Sequence, residues 1–242
     1  MASFVFKDAE VRYGGLDMTG ILNKVDLNYT ADMEDASVFG TNSMIRLSGL
    51  MDTTVNQSGF WSDTADLELY NRIGATLPEV FSVAPQGVVD GPAFAMLGDQ
   101  ASYSLGGAVG EVHPFNVSIH SNGALVGGKL FIIGTKTVSG VSTIIELGAV
   151  PLGWAVYASL HVTVNGGTGD QTFDAIVESD DLVGFGTPTT RLTFDQVTTT
   201  NQGQWKSALG SITDTFWRVT FTITGTGSPT FDAFIVVGIA KV

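Results

Sequence analysis

The 242-residue chain contains no cysteine. That excludes disulfides, cysteine nucleophiles and thiolate metal sites, and it fits synthesis in a reducing cytosol. Charge is also scarce: 14% of residues are charged, against roughly 25% in ordinary soluble domains. Eleven Lys and Arg face 24 Asp and Glu, a net charge of −13. This excludes a surface built to grip nucleic acid, which needs clustered cations. It leaves open a surface past which nucleic acid moves without sticking. No run of about eighteen apolar residues is present, so no membrane-spanning helix is expected. The opening Met1 to Asp8 lacks a basic stretch followed by an apolar one, so no secretory signal is expected. The sequons at Asn28, Asn56 and Asn116 therefore carry little weight. A Gly-x-Ser-x-Gly elbow and a Gly-Lys-Ser/Thr phosphate loop are both missing.

What is present is alternation. Val25, Leu27 and Tyr29 alternate with Lys24, Asp26 and Asn28; Ile45 and Leu47 flank Arg46; Leu160, Val162 and Val164 alternate with His161 and Thr163. Leu192 and Phe194 alternate with Arg191 and Thr193. Trp217, Val219, Phe221 and Ile223 alternate with Arg218, Thr220, Thr222 and Thr224. Each run predicts a strand with one apolar and one polar face. Glycine-rich turns separate the runs, at Gly14-Gly15, Gly106-Gly107, Ser121-Asn122-Gly123, Gly127-Gly128, Asn165-Gly166-Gly167 and Gly225-Thr226-Gly227. Many short strands with such punctuation predict a mainly β sandwich or barrel.

One segment breaks the period. Ser62 is placed to cap a helix over 63–73, with Asp63 and Asp66 in its first turn and Gly74 as C-cap. Ala65, Leu69 and Ile73, widened by Tyr70, form its apolar stripe, so the helix is expected to flank a sheet. Residues 30–43 read as a long acidic loop reaching outward, because connections beyond about a dozen residues are commonly functional. The Gly/Ser/Asn-rich stretch 121–129 marks a boundary, giving a first domain over 1–125 and further strands over 126–242. These either complete the first domain or form a second β subdomain. With 44% hydrophobic residues and so little charge, burial of surface against further copies is one reading; an ordinary sandwich with a neutral surface is the other.

Catalytic and metal chemistry finds little footing. His113, His120 and His161 lack metal-ligand spacing, and a surface or packed structural role suits each. Asp180 and Asp181, adjacent in an extended chain, point to opposite faces and make a poor acid/base pair. Gly166 to Asp170 resembles a calcium nonapeptide only once and reads as a hairpin turn. No cofactor, metal or catalytic residue is expected. Among Trp61, Trp154, Trp205 and Trp217, the last falls in the apolar phase of its strand. Trp205, in a polar segment, is the best exposed contact, as an interface anchor or a ligand platform.

The order of motifs in the first half carries a resemblance. A strand over Lys24 to Tyr29 leads to an acidic loop ending in Val38-Phe39-Gly40. Arg46-Leu47-x-Gly49-Leu50 follows, then Ser58-Gly59-Phe60-Trp61 and the helix. Val80-Phe81-Ser82-Val83-Ala84-Pro85-x-Gly87, Gly91-Pro92-Ala93 and Gly107-x-Val109-Gly110-Glu111-Val112 complete the set. Over residues 1–125 this resembles the tail tube proteins of long-tailed bacteriophages; residues 126–242 match less clearly. The resemblance implies a β sandwich of tail-tube type with a flanking helix, in a non-enzymatic structural protein of the virion tail, made in the bacterial cytoplasm. It implies rings of six subunits that stack into a tube through which DNA leaves the capsid without specific binding. Partners would be further copies of the chain and other tail proteins, with no membrane. The loop residues Asp32, Glu34, Asp35, Phe39 and Thr41 would contact the next ring, as would an arm formed by residues 1–20. An acidic lumen would repel phosphate, since a duplex carries a negative charge about every 1.7 Å. The candidates for it, on or beside strands, are Asp26, Asp52, Glu111 and Asp174. A capsid decoration or ring-adaptor protein would share this composition. A carbohydrate-binding sandwich using Trp205 and Tyr157 is a third reading.

Overall fold

The structure is a computed structural model, and it describes residues 8–38, 42–198 and 200–242. It is mainly β with one helix. The chain begins with β1 (Glu10–Tyr13), β2 (Leu16–Asp17), β3 (Leu22–Asp35) and β4 (Arg46–Phe60), followed by α1 (Asp63–Arg72). Then come β5 (Glu79–Ala84), β6 (Pro92–Leu105), β7 (Pro114–Ser121), β8 (Val126–Ile132), β9 (Thr135–Lys136), β10 (Gly140–Val141) and β11 (Ile145–Glu146). The last strands are β12 (Trp154–Gly166), β13 (Thr172–Asp180), β14 (Thr189–Thr193), β15 (Gln202–Leu209), β16 (Phe216–Thr224) and β17 (Thr230–Lys241). They form two compact units, and the chain does not divide between them at a single point. The larger unit joins residues up to Gly20 with Leu77–Leu97 and Leu125–Val242; the smaller holds Ile21–Thr76 and Gly98–Ala124.

The larger unit is a sandwich. One sheet runs β15-β12-β17-β8, continues through the first half of β6 to β5, β1 and β2, and carries β9 on β17. The other runs β10-β16-β13-β14, with β11 on β16. Among the described residues neither closes into a barrel. The period-2 residues of facing strands meet between the sheets: Val156, Leu160, Val162, Ile235 and Val237 from one, Phe173, Val177, Trp217, Val219 and Phe221 from the other. Phe173 stacks on Phe221 at 5.6 Å and tilts against Phe231 at 5.5 Å. Trp217 is fully buried, and its indole donates to the Gly148 carbonyl at 3.0 Å. A buried indole N–H without such a partner would cost most of what the ring's burial contributes.

β12 and β17 are buried on their second faces too. There Phe234 and Val236 pack with Leu130, Ala84 and Ala95, and Trp205 lies against them. The turn between β1 and β2 folds over this face. Gly15 donates its N–H to His161 Nδ1 at 3.4 Å, and Thr163 Oγ1 donates to the Gly15 carbonyl at 2.9 Å. Gly15 sits at φ +81, and a Cβ there would meet the Gln202 backbone at 2.7 Å, so only glycine fits. His161, on the polar side of its strand, is thus a packed structural histidine. With Nδ1 accepting, Nε2 holds the proton and donates to Ser82 Oγ at 2.9 Å; that hydroxyl donates to Ser159 at 2.8 Å.

Charges in the larger unit are mostly matched. The buried Arg12 guanidinium pairs with Glu10 at 3.1 Å, with Asp232 at 3.2 Å and with Asp17. Burial pushes the Asp232 carboxyl above its ordinary value, with Arg12 pulling the other way. Arg191 pairs with Asp214 and Arg218 with Glu178. The Ser179 hydroxyl, and then Arg191, hold Asp214 below the usual carboxylate range.

The smaller unit is a single open sheet, β3-β4-β7-β6, in which every pair is antiparallel. One face, bearing Val55, Val117, Ile119 and Phe115, is covered by α1, whose Leu69 carbonyl accepts from Gln100 Nε2 at 2.7 Å. The helix starts after an extended Ser62 and stops at Arg72, with Gly74 at φ +72 just beyond. It buries Ala65 and Leu69 but leaves Tyr70 and Ile73 exposed, a difference from the expected stripe. Each four-residue step turns a helix about 40° past a full turn, so a third member of such a stripe rotates off the buried face. Gly59 is required where β4 meets the chain before β3, because a Cβ would meet the Ile21 carbonyl at 2.2 Å.

Candidate assembly surface

Residues directly opposite one another on paired strands share a face. In the smaller unit Val25 pairs with Gln57 and Leu27 with Val55, so the odd positions of β3 face the helix. The even positions face away, and among the described residues nothing of this unit covers them. Asp26 lies beside Asn56, which lies beside Ser118 and then Ser102. Thr54 lies beside His120 and then Asp99, and Lys24 beside Ser58, Asn116 and Ser104. This bare face is polar throughout, carrying hydroxyl, amide and carboxylate groups with the His120 imidazole and the Lys24 ammonium, and has a shallow depression of about 200 Å³ around Asp26, Asn56 and Ser118. Its carboxylates are Asp26, Asp52 and Asp99; its cation is Lys24, which already pairs with Asp26. Asp52 accepts from Ser121 Oγ at 3.4 Å and Asp99 from Asn122 Nδ2 at 3.1 Å.

Beyond Asn28 and Thr53 the β3–β4 ribbon runs past the helix. Residues 30–35 are strand rather than loop: Thr30 pairs with Asp52, Ala31 with Met51, Glu34 with Leu47 and Asp35 with Arg46. A bulge between Ala31 and Met33 places an extra residue on β4. One side of the ribbon carries Tyr29, Ala31, Met33 and Met51, while the other carries Thr30, Asp32, Glu34 and Asp52, in line with Asp26. Leu50 is 83% exposed and Met51 57%. A two-stranded ribbon bare on both sides is marginal in water on its own, and a cluster of large exposed apolar side chains marks a contact surface. β3 is also an edge strand, paired among the described residues with β4 alone. It is long and has no proline, and such an edge is a template for another chain.

The sequence-derived candidates fall in several places. Asp26, Asp52, Asp32 and Glu34 share one side of the smaller unit's sheet. Asp35 lies on the other side at the ribbon's end, where the Ser37 hydroxyl and then the Ser37 N–H hold it below the usual carboxylate range. Phe39 and Thr41 lie outside the described residues, as do residues 1–7 of the arm. Glu111 is in the exposed turn between β6 and β7. Asp174 is on β13 of the larger unit, bound by Gln196 Nε2 at 3.0 Å. Trp205 is half-buried, with its ring 5.5 Å from that of Tyr157 and its body against the Phe234 cluster. Asp99 joins the bare face through register alone, a relation no single-strand pattern reveals.

The remaining polar clusters are local ties. Asp180 accepts from the N–H groups of Leu182 at 3.0 Å and Thr187 at 2.8 Å, which fixes the β13–β14 loop and holds its carboxyl low. Its neighbour Asp181 is pushed up by the Asp180 carboxyl beside it. Asp170 accepts from Thr168 and Thr226 across a turn. Among the described residues, no three His, Asp or Glu side chains are grouped to hold a metal, and no helix is long and apolar enough to cross a membrane.

No protein-family model and no curated protein matches this sequence. Several solved structures are similar. One is from the tail of an empty gene transfer agent particle with C6 symmetry, with 18% identity over 51% of this chain and 97% of that chain (TM-score 0.42). Another is the phage SPP1 Dit protein, a hub of the adsorption apparatus in phages infecting Gram-positive hosts, with 11% identity over 97% of this chain and 100% of that one (TM-score 0.39). A third is from the sheath–tube complex of an extracellular contractile injection system, with 10% identity over 52% and 92% (TM-score 0.39).

Proposed function

We propose that this chain is a structural subunit of a phage tail, which joins edge to edge into rings and stacks them into a conduit for DNA. The observation that carries the reading is the smaller unit's sheet, packed on one face only. Its other face is polar and acidic, its edge strand β3 is unpaired outward, and its ribbon is uncovered. Ring closure places β3 against the outer strand of the next copy and removes the edge. The bare faces then line the lumen, where Asp26, Asp52 and Asp99 repel phosphate and the Ser, Thr and Asn side chains keep water against the wall. A basic wall would hold DNA through released counterions. The motif order over residues 1–125 supports the same reading, and the ring of six comes from that resemblance. The work is mechanical, with no reaction and no cofactor. Its partners are copies of the chain and other tail proteins, and its place is the virion.

Negative-stain electron microscopy of concentrated protein at moderate salt tests this. Stacked rings with a central hole are expected. Single closed rings that never stack would turn the reading to a ring adaptor. Dispersed monomers at every concentration would overturn it.

A further inference from the structure

Glycine directly follows asparagine at Asn122-Gly123 and at Asn165-Gly166. Such a pair is prone to lose the side-chain amide, because a glycine nitrogen, with no side chain beside it, reaches the asparagine side-chain carbonyl unhindered. The fold treats the two pairs differently. Asn165 and Gly166 are the last residues of β12, and Gly166 is paired with Thr230 on β17. Ring closure there requires the ladder to open first. Asn122 and Gly123 lie just past the end of β7, and both are exposed. Gly123 sits at φ +128, and nothing lies within 4 Å of where its Cβ would be. Among the described residues its N–H has no hydrogen-bond partner. The Asn122 side chain is tied by one bond, from Nδ2 to Asp99 Oδ2 at 3.1 Å, at an exposed site where water replaces it readily.

We propose that Asn122 is a self-modification site, at which the folded chain converts an amide to a carboxylate and so adds an acid to the bare face of the smaller unit. The Gly123 nitrogen gives its proton to hydroxide and attacks Asn122 Cγ. A C–N bond forms, the Cγ–Nδ2 bond breaks, and the amide nitrogen leaves as ammonia, taking a proton from water. Water then opens the resulting succinimide at either carbonyl and leaves aspartate or isoaspartate at position 122. Water and hydroxide are the co-reactants, and no electron is gained or lost. The position gives the change its consequence. Asp99 lies beside His120 and Thr54 on the bare face, so Asn122, bonded to Asp99, stands at the edge of that face. Conversion replaces a donor to Asp99 with a second carboxylate. The bond becomes a like-charge contact, which frees the turn at Asn122 from β6 and makes a face that already carries Asp26, Asp52 and Asp99 more acidic as the protein ages. None of this rests on assembly: a single folded chain is enough.

Peptide mapping by mass spectrometry, with aspartate separated from isoaspartate, tests the proposal on the full chain incubated folded and in denaturant at neutral and mildly alkaline pH. In denaturant Asn122 and Asn165 should convert at similar rates. In the folded protein Asn122 should stay within about threefold of that rate and speed up with hydroxide, while Asn165 slows by at least about tenfold. On anion exchange, aged protein should gain a later-eluting form that runs with Asn122→Asp and is missing from aged Asn122→Gln, whose larger ring closes slowly. An Asn122 amide that survives in the folded protein while it is lost in denaturant would overturn the proposal. So would equal conversion of Asn122 and Asn165 in the folded protein, or the same acidic form arising in Asn122→Gln.

Discussion

The two units of this chain answer the same problem, covering apolar surface, in opposite ways. The larger unit covers itself: two sheets face each other, β12 and β17 are buried on both sides, and Arg12, Arg191 and Arg218 each have carboxylate partners. The smaller unit leaves the task unfinished. One helix covers one face, a ribbon of Met and Leu projects bare, and the polar face keeps carboxylates with Lys24 as its cation. A surface that is incomplete in a single copy, beside one that is complete, separates the part that assembles from the part that merely folds.

The sharpest way to break that contrast is at Trp217. Trp217→Ala removes a fully buried ring and its hydrogen bond, and should lower stability by about 3–5 kcal/mol, read by chemical denaturation. A loss under about 1 kcal/mol would mean that the larger sandwich is not the self-sufficient body described here. In the smaller unit, the double change Leu50→Asp, Met51→Asp should leave monomer stability within about 0.5 kcal/mol, because both side chains already face water. The same change should abolish stacking in light scattering. A large stability loss from it would show that the ribbon is covered within one copy.

A smaller effect is expected beneath the helix. Gln57 is 2% exposed, and both atoms of its amide lack a hydrogen-bond partner among the described residues. Gln57→Leu should raise stability by about 1 kcal/mol, since an unmet buried amide costs more than it gives. A decrease would mean that the amide is satisfied in solution, and that the smaller unit's core is better finished than the contrast allows.

Much of the larger unit was legible. Trp217, Val219 and Phe221 are buried and Leu160 and Val162 with them, as their alternation predicts, and the helix expected over 63–73 ends at Arg72. The ribbon reads as loop because residues 30–43 form a long polar stretch rich in acidic residues, although Tyr29, Ala31 and Met33 alternate with Thr30, Asp32 and Glu34. Asp32 and Glu34 therefore looked like loop, and only pairing with Leu47 and its neighbours makes them strand. Trp205 looked exposed because Gln202 and Gln204 flank it, but its ring turns onto Tyr157 and the Phe234 cluster. For the site, Asp26 and Asp52 were found as carboxylates near strands. What unites them with Asp99 is register across four strands, which lies in no local stretch of sequence.

Amide hydrogen exchange, compared between dilute monomer and assembled protein, tests the division of labour most directly. Fast exchange is expected at Asn28–Asp35 and Arg46–Asp52 in the monomer, with strong protection there after assembly. β12 and β17 should be protected equally in both states. Protection unchanged in the ribbon, or gained mainly in β12 and β17, would contradict the claim that the smaller unit is the part completed by other copies.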